Sequence, residues 1–308
     1  MEKTFCKTLG VKATTSQSAS LPAARASAGK RFARAVFCSL VTLAMTTPGA
    51  SHAGQIWNGW NYAIDSNSDG SGGSGYEELS LAYHQQGSTG YFAISGGMPL
   101  AGVPHSGVLN ETIAPGELYL NFSSHNLDTQ AKYSDPDVFA IRFTSANDSL
   151  GNVSGSNPTL GLFKNLTVTN LTGAPYGYTS LQQYYDYGFG RTVGAMGDLN
   201  TTTDVTNYFG NGTMYPNVAT GTFVEGISSL DAIQLAALGL DFAHFPGALG
   251  GEVYGFSFDR SKLPTGAFRA HFFEECINDG IALNVPEPGT LALLSSSLAG
   301  IAFRRRRQ

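Results

Sequence analysis

The chain has 308 residues, a formal net charge of −5 and three cysteines. Its charge is uneven: residues 54–288 contain 22 acidic and 7 basic residues, a net charge of −15. Such an acidic surface repels phosphate backbones, which argues against nucleic-acid binding. Cys276 is the single cysteine of this part, so an intramolecular disulfide is excluded and a hydrophobic core must stabilise the domain.

Residues 1–53 are predicted to be a leader that ends in a secretory signal peptide. A basic region at Lys30, Arg31 and Arg34 precedes the mostly apolar stretch 35–45. Ser51-His52-Ala53 then places small residues at the −3 and −1 positions of a cleavage site. We expect export by the secretion machinery, with cleavage after Ala53.

Residues 54–284 are predicted to form one all-β domain, because short apolar alternations stand between turn residues. The predicted strands are 56–64, 76–84, 91–95 and 268–273, together with the alternating sets Leu118/Leu120/Phe122, Phe139/Ile141/Phe143, Leu166/Val168 and Tyr254/Phe256/Phe258. Gln86-Gly87-Ser88 and Asn211-Gly212 are predicted turns. Ten or more strands without an internal repeat indicate a single β-sandwich of the jelly-roll type.

One short helix is predicted to interrupt the strands. Its expected features are an N-cap at Ser229, a shared apolar face and an end at Gly239. The predicted apolar face consists of Leu230, Ile233, Ala237 and Leu238. The Tyr-rich and Gly-rich stretch 176–190 fits neither period, and an ordered aromatic loop is our preferred interpretation.

A loop after the first predicted strand is a candidate calcium site. Asp65, Asn67 and Asp69 offer oxygen ligands at alternate positions before Gly70. An EF-hand is excluded, because its twelfth position falls on Tyr76 rather than on a carboxylate. The loop is therefore either a calcium site of an extracellular β domain, completed by Glu77 or Glu78, or a solvated hairpin turn, which we favour. Calcium is the only cofactor that the sequence suggests.

Two carboxylate doublets were considered as catalytic groups. Glu77-Glu78 and Glu274-Glu275 are adjacent in predicted strands, and neighbours on a strand point to opposite faces. Neither doublet can therefore pair with itself across a glycosidic bond, although a pair between the two strands stays open. A structural role is favoured, and no catalytic residue is assigned.

Trp57, Trp60 and Tyr62 form an aromatic cluster near the start of the domain. Exposed together, these rings would make a platform on which sugars stack. Their alternation along one strand places at least one ring in the core, so core packing is the favoured interpretation.

The last residues, 285–308, combine three features in order. Pro286-Glu287-Pro288 precedes the apolar run 289–303, and Arg304, Arg305, Arg306 and Arg307 follow. The run is shorter than the ~20 residues of a full bilayer-spanning helix. Basic residues behind an apolar run resist translocation, so we interpret the run as a transmembrane segment with a cytoplasmic arginine stop.

This tripartite tail resembles the PEP-CTERM sorting signal of bacterial surface proteins that exosortase enzymes process. The resemblance implies a Gram-negative cell that makes exopolysaccharide, with the tail recognised and removed in the inner membrane. Four internal segments also look like those of one group of exosortase-dependent surface proteins: 62–66, 69–73, 255–260 and 275–280. Many relatives have Gly where this chain has Ile277. No enzymatic activity is implied by either resemblance.

These features lead to one preferred function and two alternatives. We expect a non-enzymatic protein of the cell surface or extracellular matrix, sorted by exosortase and associated with extracellular polysaccharide. The first alternative is a lectin-like carbohydrate-binding module, which could depend on calcium. The second is a secreted hydrolase, which would require two carboxylates that converge in one cleft.

Overall fold

The computed structural model describes residues 54–67, 74–152, 157–187 and 196–287. This part is mostly β, with fourteen strands in three sheets and four short α-helices. The strands are β1 (Gln55–Trp57), β2 (Trp60–Ile64), β3 (Glu78–Gln86), β4 (Thr89–Gly96), β5 (Val103–Pro104), β6 (Thr112–Ile113), β7 (Leu118–Asn121), β8 (Val138–Arg142), β9 (Gly161–Thr169), β10 (Asn217–Glu225), β11 (Ser228–Leu230), β12 (Glu252–Asp259), β13 (Phe268–Phe273) and β14 (Gly280–Val285). The helices are α1 (Gly173–Tyr176), α2 (Leu181–Tyr187), α3 (Thr202–Phe209) and α4 (Ala232–Ala237).

Two six-stranded antiparallel sheets contain most of the strands. The first has the order β1-β2-β3-β4-β12-β11, and the second has the order β10-β9-β8-β7-β13-β14. β5 and β6 pair separately as a two-stranded sheet. Both large sheets join strands that are distant in sequence, since β12 pairs with β4 and β13 pairs with β7.

One hydrophobic cluster receives side chains from both large sheets. β12 contributes Tyr254, Phe256 and Phe258, which occupy alternate positions as predicted. The other contributors include Leu81, Phe92 and Ile94 of the first sheet and Leu118, Leu120, Phe139, Ile141, Phe272 and Leu283 of the second. Burial of each such side chain stabilises the fold by about 1.5–3 kcal/mol. The strand periodicity of the sequence therefore corresponds to a core that both sheets share.

The outer faces of both sheets are also covered. Leu235 of α4 and Phe242 pack with Trp60 and Tyr62 on the first sheet. On the second sheet a separate cluster combines residues of α2 and α3 with residues of the strands: Tyr184, Val205, Tyr208 and Phe209 join Tyr119, Phe163 and Val168. Central strands are consequently apolar on both faces, which explains why several of them lack strict alternation.

The predicted first strand, 56–64, is wrong because the chain turns back within it. Asn58 and Gly59 have positive φ values of 49° and 83°, and β1 pairs with β2 across them. An Asn-Gly pair with left-handed backbone at both positions is the preferred two-residue hairpin turn. The predicted turn at Gln86-Gly87-Ser88 is confirmed, since it joins β3 to β4.

The helix predictions are partly wrong. A helix follows residue 229 as expected, but Asp231 caps it, and Ser229 lies in β11. Of the predicted apolar face, Ile233 is 81% exposed, whereas Leu235 is buried. The predicted hairpin turn at Asn211-Gly212 instead follows α3, a helix that the sequence did not indicate.

Within the stretch 176–190, Leu181–Tyr187 form helix α2 rather than a loop. Its last three residues lie outside the described part, as do the leader with Ala53, the proposed ligand Asp69, Pro288, the apolar run and the four arginines. Within the described ranges, no helix has the length and apolar character needed to cross a bilayer.

Candidate functional site

Six carboxyl groups are enclosed in the interior, each at most 1% exposed. They are Glu78, Glu117, Asp148, Glu274, Glu275 and Asp279. Arg142, with no exposed surface, lies among them. An ionised carboxylate is costly to bury without partners, so the role of this cluster depends on what each oxygen contacts.

Glu275 joins three segments that are far apart in sequence. One oxygen accepts hydrogen bonds from the Asp148 amide at 2.5 Å and from the Asn217 side chain at 2.9 Å. The other accepts from the Ala114 amide at 2.9 Å. Burial raises the pKa of Glu275 well above its usual value, and the nearby charge of Asp148 acts in the same direction. The carboxylate thus replaces the backbone partners that these loops lack.

Glu117 likewise accepts hydrogen bonds from the neighbouring loops. It accepts hydrogen bonds from the Val218 amide at 3.0 Å, the Ser149 hydroxyl at 2.5 Å and the Asn147 side chain at 2.9 Å. Burial raises its pKa to about 7, and these hydrogen bonds and the charge of Arg142 limit the rise.

Arg142 is itself held by acceptor oxygens of the adjoining loop. Its guanidinium donates to the Asn147 side chain at 2.9 Å and to the carbonyl oxygens of Asn157 and Thr159 at 2.5 and 3.0 Å. Sequence analysis missed Glu117, Asn147 and Arg142. The sequence signal for Arg142 is a charged residue at the end of the otherwise apolar strand Val138–Arg142.

Glu78 and Glu274 form the carboxylate pair between strands that the sequence left open. Neither side chain has exposed surface, and the two carboxyl groups lie close enough for the charge of one to act on the other. Two like charges are unfavourable together in an enclosed space, so at least one of the two carboxyl groups is protonated. Burial is the main reason that the pKa values of both are raised well above normal, and the charge of Glu78 raises that of Glu274 further.

Asp279 connects this pair to the backbone. It accepts from the Glu78 amide at 2.7 Å, and its own amide donates to Glu274 at 2.9 Å. A retaining glycosidase separates its carboxyl groups by about 5 Å and exposes them to substrate. Glu78 and Glu274 have no exposed surface, so this geometry favours a structural role.

The turn between β13 and β14 contains three of the six buried carboxyl groups: Glu274, Glu275 and Asp279. Ile277 within it has a φ of +57°, a left-handed conformation that is unfavourable for a β-branched residue. The Ile277 amide donates to the Glu274 carbonyl at 2.8 Å, and the Tyr178 amide donates to the Cys276 carbonyl at 2.8 Å. Cys276 is a free cysteine without exposed surface.

The proposed calcium ligands are not assembled into a site by the described residues. Asp65 is 8% exposed, and one of its oxygens accepts from the amides of Ser66 and Gly197 at 3.0 and 3.1 Å. Asn67 is exposed at the surface, and Asp69 lies outside the described part. Within the described ranges, no three His, Cys, Asp or Glu side chains are grouped so that they could hold a metal ion.

The aromatic cluster is divided between core and surface. Trp60 and Tyr62 have no exposed surface, so the prediction that at least one ring lies in the core is confirmed. The indole nitrogen of Trp60 donates to the Leu238 carbonyl at 3.0 Å. Trp57 is 39% exposed and stacks on His244 with ring centroids 3.8 Å apart. A platform of three exposed rings is therefore absent from this region.

The chain leaves the domain after β14, which is the last strand of the second sheet. β14 pairs with β13 through Val285, one residue beyond the predicted domain boundary. Pro286 follows at once, and Glu287 is exposed. Pro286 lines cavities of 320 and 170 Å³, and Glu287 lines one of 480 Å³.

A protein-family model of the PEP-CTERM protein-sorting motif matches residues 284–307. The chain carries a PEP-CTERM sorting motif. No curated protein and no solved structure matches the chain. The motif indicates a surface protein that is exported and processed by an exosortase.

The PEP-CTERM motif begins at the edge of the folded domain. Its first residue, Asn284, lies in β14, where its carbonyl accepts from the Asn61 side chain at 2.8 Å. The Asn284 amide donates to Asp198 at 2.7 Å. The pairing of β14 with β13 and these two hydrogen bonds join residues that precede Pro288, so they do not depend on the chain beyond Glu287.

Proposed function

We propose that this protein is a non-enzymatic component of the cell surface or extracellular matrix of a Gram-negative bacterium. The supporting observation is the PEP-CTERM motif, which begins within the last two residues of the edge strand β14. The shared cluster between the two six-stranded sheets supports a single β-sandwich of the jelly-roll type. The buried carboxyl groups hydrogen-bond the backbone of loops, which supports a structural role rather than catalysis.

The tail acts as a transient anchor in this proposal. The apolar run holds the exported chain in the inner membrane, and Arg304–Arg307 stay on the cytoplasmic side. Pro286 and Pro288 keep the backbone extended, which presents the exposed Glu287 to the exosortase. After processing, the domain associates with extracellular polysaccharide.

A lectin-like function is the second candidate. It is supported by the 320 Å³ cavity beside Pro286, which combines an arginine with hydroxyl and amide side chains. Sites for small polar ligands have this size and combination of groups. A calcium-dependent form of this function would use Asp65, Asn67 and Asp69.

The sorting proposal is tested by changing the exposed glutamate of the motif. Glu287→Ala should trap uncleaved precursor in the inner membrane, whereas Asp69→Ala should be sorted normally. Cell fractionation and the mass of the C-terminus, in strains with and without the exosortase, measure both. A native tail that stays intact at the surface of both strains would show instead that the tail is a permanent anchor.

A further inference from the structure

Arg269 of β13 is held rigidly at the wall of the 320 Å³ cavity. Its Nε donates a hydrogen bond of 2.6 Å to the Asn284 side chain. One face of its guanidinium lies on Tyr208, 4.4 Å from the ring centroid. Tyr208 is only 2% exposed, and its hydroxyl is 3.3 Å from Nδ1 of His271. An arginine fixed in this way loses little conformational freedom when it binds a ligand.

The charge of Arg269 is not neutralised by a salt bridge within the described ranges. The ion pairs found there belong to Lys132, Lys262 and His125. Asp198 is near enough to sense the charge of Arg269, but it accepts its hydrogen bond from the Asn284 amide.

The rest of the cavity wall carries no carboxylate and is partly polar and partly apolar. Ser123, Ser124 and Asn126 contribute hydroxyl and amide groups, and Ser124 and Asn126 are exposed. Phe268 and Pro286 supply apolar surface, and His125 adds an imidazole whose Nε2 lies 2.8 Å from Asp135. The cavity therefore combines the fixed Arg269 cation with hydroxyl, amide and imidazole groups, which suits a ligand that bears one negative charge and several hydroxyls.

We propose that this cavity binds a carboxylate-bearing sugar unit of an acidic polysaccharide, an inference that rests on the proposed association with extracellular polysaccharide. The planar guanidinium offers parallel N–H groups that match a carboxylate. Ser124 and Asn126 hydrogen-bond the sugar hydroxyls, and Pro286 packs against the ring. A volume of 320 Å³ accommodates one or two sugar rings. The domain thus holds its polymer on the side where the sorting tail was attached.

The test uses processed protein purified from a culture with an active exosortase. Calorimetric titration with tetragalacturonate, with maltotetraose as the neutral oligomer of equal length, measures binding. The wild type should bind only the acidic oligomer, and Arg269→Gln should weaken binding about tenfold or more. Lys164→Gln, which removes an exposed cation from β9, should bind like the wild type.

Several outcomes would overturn this site. The proposal is wrong if Arg269→Gln binds tetragalacturonate as tightly as the wild type, or if Lys164→Gln weakens binding as much as Arg269→Gln does. It is also wrong if the wild type binds both oligomers with the same affinity, or if an equal concentration of inorganic phosphate displaces tetragalacturonate. Should Arg269→Gln fail to fold, Ser124→Trp at an exposed position of the wall must block binding while the melting temperature stays unchanged. A wild type that binds neither oligomer refutes the site, while the dependence of sorting on Glu287 is decided separately by fractionation.

Discussion

At the residue scale, the burial of Glu117 makes the stability of the folded protein depend on pH. The folded protein raises its pKa from 4.5 to about 7, mainly by desolvation. The folded state therefore holds this proton more tightly than the unfolded state. The resulting stabilisation is complete below pH 4.5 and is lost as the pH rises towards 7. A rise of this size corresponds to roughly 3 kcal/mol.

Glu117→Gln should therefore reduce the fall in the free energy of unfolding between pH 4.5 and pH 7. The amide imitates the protonated carboxyl, so the variant keeps a neutral group in the same volume. Denaturant unfolding at several pH values measures the slope, and Glu111→Gln at an exposed position is the matched control. A slope that Glu117→Gln leaves unchanged would assign the pH dependence to other groups, such as the Glu78–Glu274 pair.

The residues around the turn 274–280 show what the sequence could and could not predict. Strand geometry predicts that Glu274 and Glu275 point to different sides, and they do contact different partners. The partners of Glu275 lie up to 161 residues away in the chain, which no local pattern can indicate. Ile277 holds a left-handed backbone conformation, and its fully buried side chain packs in the outer cluster of the second sheet. Packing there offsets a backbone cost of about 1–2 kcal/mol.

At the element scale, the sequence did not predict helix α3, and it predicted helix α4 with the wrong N-cap. α3 contains several β-branched and aromatic residues, which have modest helix propensity. It forms because Val205, Tyr208 and Phe209 bury one face on the second sheet and the Thr201 hydroxyl accepts from the Asp204 amide at 3.1 Å. Tertiary packing of this kind cannot be seen in a local pattern.

The start of α4 is capped by Asp231 and not by the predicted Ser229. Asp231 accepts from the Gln234 amide at 2.8 Å, and the Gln234 side chain accepts from the Asp231 amide at 2.9 Å. Asp231→Ala should lower the free energy of unfolding by about 1 kcal/mol, the usual effect of losing an N-cap. Ser229→Ala, in exposed β11, should change it by less than about 0.5 kcal/mol. Equal effects in denaturant unfolding would contradict this assignment of the cap.

At the scale of the whole molecule, the mostly β class follows directly from the apolar alternation. The arrangement of the strands does not, because β4 pairs with β12 and β7 with β13 across more than a hundred residues. The sorting motif, by contrast, is a continuous stretch of sequence, so the sequence alone was enough to identify it. The family model agrees with that identification. Sites that are built from distant residues, such as the cavity at Arg269, required the fold.

The last prediction concerns calcium and the stability of the whole domain. Residues 54–287 should melt at nearly the same temperature with and without calcium, because the fold buries its carboxyl groups against backbone amides and one of the Asp65 oxygens is already hydrogen-bonded. An extracellular calcium site with a Kd of about 1 mM would stabilise the domain by about 1.4 kcal/mol at about 10 mM calcium. That would raise the melting temperature of a domain of this size by roughly 3–6 °C. Differential scanning calorimetry in calcium and in chelator separates the two outcomes, and a calcium-dependent rise that Asp69→Ala abolishes would establish the loop as a binding site.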